Sequence, residues 1–315
     1  MENAKPIVCV RHVTKTFTVQ AGLFAEKRRL TAVNDVSYTL YQGECLGLVG
    51  ESGCGKSTLG RISCGLLAPS QGKVTLFDKA LPLAGSASWA CGHIQMIFQD
   101  PFSSLNPRMT VRDSVAEPLR ARGVALRTRR KAAEDMLALV GLPDTGSRYP
   151  HEFSGGQRQR IAIARAVMTH PEVIVCDEAV SALDASVQAQ ILNLLKDMQE
   201  QFSPSYLFIS HDLPVVGFMC DRILVMYLGS VLEEGTKDDL FSHPAHPYTQ
   251  ALLAQSQDDL QNIHHFLPGE LPSPLNPPTG CAFHPRCPKA QERCQTIPPS
   301  WKTIDSTWRV RCHFA

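Results

Sequence analysis

The 315-residue chain has no run of about 18 apolar residues, which is the length that a membrane-spanning helix needs. Its first residues, Met1–Lys5, lack the apolar core of a secretory signal peptide. An excess of charge of one sign is also missing. The chain has 31 Lys and Arg against 30 Asp and Glu, a formal net charge of +1, so no overall positive field favours binding of nucleic acid. We therefore expect a cytosolic protein that does not itself span a membrane.

Cysteine is abundant, yet the C-x2-C pairs that are typical of structural zinc sites are missing. Seven of the 11 cysteines are scattered, and we expect them to be small buried hydrophobic residues. The other four, Cys281, Cys287, Cys294 and Cys312, lie in a Pro-rich tail that begins at His243. A segment with so few residues available for a hydrophobic core favours a bound metal that stabilises it. A four-iron cluster, a zinc ion and unmetallated thiols remain open from the residues alone.

Gly50–Ser57 fits the phosphate-binding loop pattern G-x-x-x-x-G-K-[ST]. The apolar run Cys45–Val49 predicts a strand before it, and a helix is predicted to begin at Thr58, which is the context that this loop requires. Backbone N–H groups of such a loop bind phosphate, while Lys56 neutralises the β- and γ-phosphates and Ser57 holds Mg²⁺. The loop predicts ATP binding.

Asp177 and Glu178 directly follow Val173–Cys176, a continuous apolar run that is typical of a central parallel strand. Ligands bind at the carboxyl ends of such strands. We predict that Asp177 orients Mg²⁺ through water and that Glu178 polarises the water that attacks the γ-phosphate. An N-cap pair for the following helix is the structural alternative.

Ser154–Gln157 is a Gly-rich tetrapeptide that opens a predicted helix over Arg158–Met168. It offers a hydroxyl, N–H groups and a helix dipole to an anion, but no lysine of its own. A second anion site is explicable if it caps the γ-phosphate held by another subunit.

These elements, in this order, resemble the nucleotide-binding subunits of ATP-binding cassette (ABC) transporters over about Phe17 to Gly235. The resemblance implies that Phe17 stacks on adenine, although a core phenylalanine is the alternative. It implies that Gln99 senses Mg²⁺ and reports to membrane subunits, and that His211 contacts the γ-phosphate. Ser181–Asp184 matches the loop that crosses the dimer interface of the family.

The predicted sites can now be stated in full. The predicted nucleotide-binding residues are Phe17, Gly50, Glu51, Ser52, Gly53, Cys54, Gly55, Lys56, Ser57, Thr58, Ser154, Gly155, Gly156, Gln157 and Asp184. The predicted catalytic residues are Glu178, His211 and Gln99, and the predicted Mg²⁺ ligands are Ser57, Gln99 and Asp177.

Three longer segments, Phe98–Pro107, Cys176–Asp184 and His246–Leu253, resemble the ATPases of oligopeptide, dipeptide and nickel importers. The stretch through Gly22–Phe24 resembles the second of their two paralogous ATPase subunits. Cys281–Pro288 resembles the tail of peptide-importer ATPases, which holds an iron–sulfur cluster, so the resemblance implies a structural [4Fe-4S] cluster on the four tail cysteines.

The resemblance implies an ATP-hydrolysing motor for uptake of di- and oligopeptides, with nickel or another small solute as the alternative cargo. The implied partners are a paralogous ATPase in a heterodimer, two integral-membrane permease subunits and an extracytoplasmic solute-binding protein. The implied location of this chain is the cytoplasmic face of the inner membrane. A soluble ABC ATPase acting on nucleic acid or ribosomes is a remote alternative, because the chain has one cassette, no heptad run and no basic stripe.

The implied fold class is α/β: a P-loop NTPase of ABC type, with a RecA-like core, an antiparallel β subdomain and an inserted helical subdomain. We predict a nucleotide-binding domain over residues 1–242, with its helical subdomain at about 100–165, and a Cys/Pro-rich C-terminal extension over residues 243–315.

Overall fold

A computed structural model describes residues 5–20, 27–81, 89–256 and 270–315. The predicted subfamily feature at Gly22–Phe24 lies outside these residues. The described strands are β1 (Pro6–Val19), β2 (Arg28–Tyr41), β3 (Cys45–Val49), β4 (Gln71–Leu76), β5 (Lys79–Ala80), β6 (Ile94–Ile97), β7 (Val173–Asp177), β8 (Ser205–Ser210), β9 (Arg222–Tyr227), β10 (Ser230–Thr236), β11 (Lys302–Thr303) and β12 (Arg309–Val310). The described helices are α1 (Lys56–Ser63), α2 (Pro101–Ser104), α3 (Val111–Ala121), α4 (Leu126–Leu139), α5 (Gly155–Val167), α6 (Ala185–Phe202), α7 (Leu213–Met219), α8 (Lys237–Ser242), α9 (Pro247–Ser256) and α10 (Glu292–Thr296).

The chain forms two compact units. Among the described residues, the first unit contains 41–44 and 89–208, and the second contains 6–20, 27–40, 45–81, 209–256 and 270–315. This grouping follows spatial contacts and is not sequential. The predicted division between residues 242 and 243 stays a prediction.

The second unit contains an antiparallel sheet in the order β2-β1-β4-β5. β1 pairs with β4 from Val8 opposite Leu76 to Thr14 opposite Gln71, with an irregularity between Arg11 and Thr14. The sequence predicts two strands here, Ile7–Val10 and Lys15–Val19, but the structure forms a single strand over Pro6–Val19, of which β4 pairs with the part from Val8 to Thr14. The prediction of an antiparallel β subdomain agrees with this sheet.

The same unit contains neighbouring strands in the order β11-β12-β10-β9-β3. β3 is parallel to β9, with Val49 opposite Val225, whereas β10 is antiparallel to β9. All five residues of β3 are buried. The phosphate-binding loop therefore leaves the sheet from a strand that packs on both faces.

In the first unit, strands follow the order β8-β7-β6, and β6 and β7 are parallel. Val173–Asp177 is buried throughout, as the apolar run predicts. The section predicted to be helical contains α2, α3, α4 and α5. Side chains cap several helices at their first turns: Thr110 accepts from the Asp113 N–H, and Asp184 accepts from the Val187 N–H at 3.0 Å.

Glu233 of β10 anchors the chain that follows α8. Its side chain is fully buried and accepts hydrogen bonds from the His246 N–H at 3.0 Å and from the Trp308 Nε1–H at 2.9 Å. The Thr249 hydroxyl donates to the same carboxylate. Since a buried carboxylate is costly without partners, these donors fix the Pro-rich tail against β10.

The scattered cysteines follow the prediction in part. Five of the seven are buried: Cys9, Cys45, Cys54, Cys176 and Cys220. Cys64 is half-buried and Cys91 is exposed, so the prediction was wrong for Cys91.

Candidate active site

The phosphate-binding loop lies in the second unit, between β3 and α1, as predicted. Two of its glycines are required by close approach of the backbone: a Cβ at Gly50 would lie 2.1 Å from the Met226 carbonyl oxygen, and one at Gly55 would lie 2.1 Å from the Ala32 oxygen. Gly55 has a φ of 109° and precedes the first helical residue. Because glycine has no side chain to cap the helix, the cap position leaves room for an anion at the first turn.

Lys56 is buried within the phosphate-binding loop. Its side chain is 4% exposed. Its Nζ donates to the carbonyl oxygens of Gly50 at 2.7 Å and Glu51 at 3.0 Å. The ammonium group is therefore already desolvated and positioned by backbone oxygens, as suits a fixed positive charge in a phosphate site.

Glu51 is tied to a distant part of the same unit. Its carboxylate accepts two hydrogen bonds from Arg286, at 2.7 and 3.0 Å, and its N–H donates to the Tyr248 hydroxyl at 2.9 Å. Arg286 is 5% exposed, and this pairing raises its pKa. The sequence did not predict either contact. His246–Leu253 and Cys281–Pro288, which contain Tyr248 and Arg286, indicated only a resemblance to importer ATPases, and nothing local to them identifies Glu51 as the partner.

The second unit also holds two other predicted site residues. Phe17 lies on β1 and is only partly buried, with Lys15 Nζ 5.2 Å from the centre of its ring. The core alternative for Phe17 is therefore not favoured by its burial. His211 directly follows β8 and is exposed. Both side chains are accessible to a ligand.

The first unit holds three of the residues predicted to take part in hydrolysis and Mg²⁺ binding, namely Gln99, Asp177 and Glu178. Asp177, the last residue of β7, is 3% exposed, and Glu178 follows it. Gln99 Nε2 donates to Glu178 Oε2 at 3.0 Å. The structure thus joins two residues that are 79 positions apart and that the sequence assigned to the same reaction.

Glu178 adopts a left-handed backbone conformation with a φ of 48°. Such a conformation is unfavourable for a non-glycine residue by about 1–3 kcal/mol and is often found at functional sites. The Ser181 N–H and hydroxyl both donate to the Glu178 carbonyl oxygen, at 3.2 and 3.0 Å. These two bonds hold the strained turn, while the carboxylate itself is held by the hydrogen bond from Gln99.

The Gly-rich tetrapeptide forms the start of α5, also in the first unit. Ser154 and Gln157 form a capping box in which the Gln157 N–H donates to Ser154 Oγ at 3.3 Å and the Ser154 N–H donates to Gln157 Oε1 at 3.0 Å. Ser154, Gly155 and Gln157 are exposed. Gly156 is buried, and a Cβ there would lie 2.3 Å from Val187 Cγ1.

Asp184 lies close to this tetrapeptide. It caps α6, and its pKa is lowered chiefly by the hydrogen bond from the Val187 N–H. The position of a Cβ on Gly155 is 3.7 Å from Leu183 Cδ2. The tetrapeptide and the Ser181–Asp184 loop therefore present one continuous surface of the first unit.

The four tail cysteines are near one another in the second unit. Cys281, Cys294 and Cys312 are buried and Cys287 is half-buried. Burial, with a smaller contribution from the three other thiols, raises the pKa of Cys281 to about 11. Within the described residues no three His, Cys, Asp or Glu side chains form a group that could hold a metal ion. The arrangement of the described side chains therefore does not support metal binding by these cysteines, which stays a prediction.

Comparison with known proteins gives the family. Residues 33–181 match the family described as ABC transporter, and residues 232–294 match the oligopeptide/dipeptide transporter C-terminal region. The oligopeptide transport ATP-binding protein AppF of Bacillus subtilis is 47% identical over 322 residues, which cover 99% of this chain and 98% of AppF. The chain belongs to the ABC transporter family.

Other ABC proteins give the same result. The di/tripeptide transport ATP-binding protein DppF of Pseudomonas aeruginosa is 45% identical over 98% of both chains. The dimeric post-hydrolysis structure of the ATP-binding cassette MJ0796, bound to ADP and Pi, is similar with a TM-score of 0.65 and 28% identity; it covers 73% of this chain and 99% of that cassette. A cbiO1 structure from Clostridium perfringens, part of the ABC transporter complex cbiONQ, is similar with a TM-score of 0.65 and 25% identity over 76% of this chain and 92% of that one.

The ABC family membership confirms the predicted cassette fold and the predicted ATPase activity. ATP and Mg²⁺ are the ligands that fit this family. Over the part of the chain that the structure describes, no helix of the ABC subunit has both the length and the apolar character needed to cross a membrane. The separate Cys/Pro-rich extension stays a prediction.

Proposed function

We propose that this ABC ATPase is the motor subunit of an importer of di- and oligopeptides. The observation that carries the proposal is the match of residues 232–294 to the oligopeptide/dipeptide transporter C-terminal region. Relatives that align over nearly the whole chain are named as oligopeptide and di/tripeptide transport proteins, which supports the same cargo class here. Nickel or another small solute is the alternative cargo.

The proposed working unit is an assembly. Its other members are a paralogous ATPase, two integral-membrane permeases and an extracytoplasmic solute-binding protein, with this chain bound peripherally at the cytoplasmic face of the inner membrane. The exposure of Ser154, Gly155 and Gln157 supports a dimer, because an exposed anion-binding turn is available to a nucleotide on another subunit. Each ATP site would then combine Gly50–Ser57 of one chain with the tetrapeptide of the other.

Within one site, the loop N–H groups and Lys56 would bind the phosphates, and Phe17 would stack on the base. Glu178 would act as general base toward the attacking water, in the direction that its strained backbone and its hydrogen bond from Gln99 give it. His211 would contact the γ-phosphate. ATP would favour the closed dimer because the closed state makes the larger number of γ-phosphate contacts.

Ser57, Gln99 and Asp177 would hold Mg²⁺. A carboxylate, a hydroxyl and an amide oxygen are the hard oxygen ligands that this cation prefers, and the burial of Asp177 fits a carboxylate that faces a cation. When bound, Mg²⁺ supplies charge neutralisation at the β- and γ-phosphates.

We also propose that Cys281, Cys287, Cys294 and Cys312 hold a structural [4Fe-4S] cluster. Four thiols near one another, three of them buried, fit the ligand set of such a cluster in kind. Burial raises the pKa of Cys281 and of Cys287, so a thiolate at either of these positions needs a compensating cation.

Uptake in a strain that lacks this gene tests the proposed cargo. Labelled di- and oligopeptides and ⁶³Ni²⁺ are supplied in parallel, and the gene is restored either as wild type or as Lys56→Ala, which lacks the phosphate-binding cation. We expect peptide uptake to return only with the wild-type gene. Restoration of nickel uptake instead would favour the alternative cargo, and recovery of ribosomes rather than permeases with the tagged chain would refute the importer.

A further inference from the structure

Glu51 places a negative charge inside a loop that is built to bind an anion. A lone carboxylate at this position would repel the phosphates, and the effect would be strong because the side chain is only 24% exposed and thus poorly screened by solvent. The guanidinium of Arg286 covers both of its oxygens, at 2.7 and 3.0 Å. This two-bond geometry is the strongest pairing that an arginine and a carboxylate form.

A second residue of the tail, Tyr248 of α9, holds the backbone of Glu51. The Tyr248 hydroxyl accepts from the Glu51 N–H at 2.9 Å, so this N–H points to the tyrosine, while the Glu51 carbonyl oxygen accepts from Lys56 Nζ at 3.0 Å. Fixing Glu51 therefore also fixes the ammonium group that the phosphates need.

Arg286 is itself held by a packed aromatic cluster made of Tyr227, Tyr248 and Phe283, all fully buried. Phe283 lies 5.4 Å from the Tyr227 ring and 5.3 Å from the Tyr248 ring, and the short 3-10 turn His284–Arg286 follows it directly. Tyr227 ends β9, whose Met226 carbonyl oxygen packs against Gly50. Gly50 of the loop and the aromatic cluster beside Arg286 therefore both pack against β9.

We propose that Arg286 is a positioning residue for nucleotide binding: it neutralises Glu51 and, with Tyr248, locks the phosphate-binding loop. The inference rests on the proposed phosphate-binding role of Gly50–Ser57. It makes the C-terminal tail part of the ATP site of this chain rather than a separate attachment. Arg286 touches the loop and not the nucleotide, so its effect is on affinity and not on the chemical step.

The test is the dissociation constant for ATP with Mg²⁺, measured by calorimetry on the full chain for Arg286→Ala, Glu51→Gln and the double variant. We expect Arg286→Ala to weaken ATP binding about tenfold, which corresponds to about 1.4 kcal/mol. Glu51→Gln in the Arg286→Ala background removes the uncompensated negative charge, so we expect it to restore most of the ATP affinity.

Arg309→Ala is the matched control. It breaks an arginine–carboxylate pair of the same tail, with Glu234 of β10, that does not reach the loop. We expect unchanged ATP affinity, and thermal unfolding of each variant checks that the fold is kept. ATP affinity in Arg286→Ala equal to that of the control, or a defect that the double variant does not relieve, would overturn the role of Arg286. Full ATP affinity in Lys56→Ala would instead overturn the phosphate-binding role of the loop itself.

Discussion

Glu178→Gln removes one negative charge from the proposed hydrolytic site and changes little else. The glutamine keeps the length of the side chain, and its amide oxygen can still accept the hydrogen bond that Gln99 Nε2 now donates at 3.0 Å. The Ser181 bonds to the carbonyl oxygen of residue 178 involve only the backbone there, so the strained turn is also kept. The variant therefore isolates the contribution of the carboxylate as a base.

The expected loss is that of a general base, about 10²–10⁴-fold in the rate of ATP hydrolysis. At about 1.36 kcal/mol per factor of ten, the barrier rises by about 2.7–5.4 kcal/mol. ATP affinity should be unchanged, because the substitution leaves the phosphate-binding loop and Lys56 as they are. ATP should then accumulate unhydrolysed and hold the dimer closed.

The assay is phosphate release by the assembled transporter, with ATP affinity and elution volume in ATP measured on the same preparation. Glu172→Gln is the matched control: it makes the same charge change at the residue before β7, in a carboxylate that pairs with His93 at 3.0 Å. We expect normal turnover in that variant. Turnover near the wild-type rate in Glu178→Gln would refute the assignment of Glu178 as the base.

Two further predictions concern stability and metal content. Burial lowers the pKa of His246 to about 3, so its neutral form is favoured in the folded state. The contribution of this group to the free energy of unfolding is complete above the unfolded pKa of about 6.5 and is lost as the pH drops toward 3, by at most about 5 kcal/mol. His246→Asn keeps an acceptor for the Tyr248 N–H, which donates to Nδ1 at 3.0 Å, and should flatten this pH dependence in urea unfolding; an unchanged slope would contradict it. Anaerobically purified protein should contain about four iron atoms and four sulfides per chain, with broad absorbance near 400 nm, if a four-iron cluster is bound. Cys281→Ser and Cys294→Ser should lose both signals while the scattered Cys9→Ser keeps them, and iron-free wild-type protein would refute the cluster.

Much of the site was predictable because its determinants are local. A Gly-rich loop between a strand and a helix, a capping box at Ser154 and a carboxylate pair after a buried strand all depend on residues within a few positions of one another. The pairing of Gln99 with Glu178 was predictable only through the resemblance to ABC transporters, since 79 residues separate them.

The sequence by itself determined the phosphate-binding loop and the buried strands β3 and β7. It also determined α1 and α5, the helices that begin at the two Gly-rich segments. It did so because backbone geometry, capping and burial are set by neighbours along the chain. Only the tertiary structure decided that β1 is one strand, that Cys91 is exposed and that Arg286 reaches Glu51 across 235 positions. These outcomes depend on which surfaces meet when the core packs, and a charge in a Pro-rich tail carries no local signal of the carboxylate that it will meet.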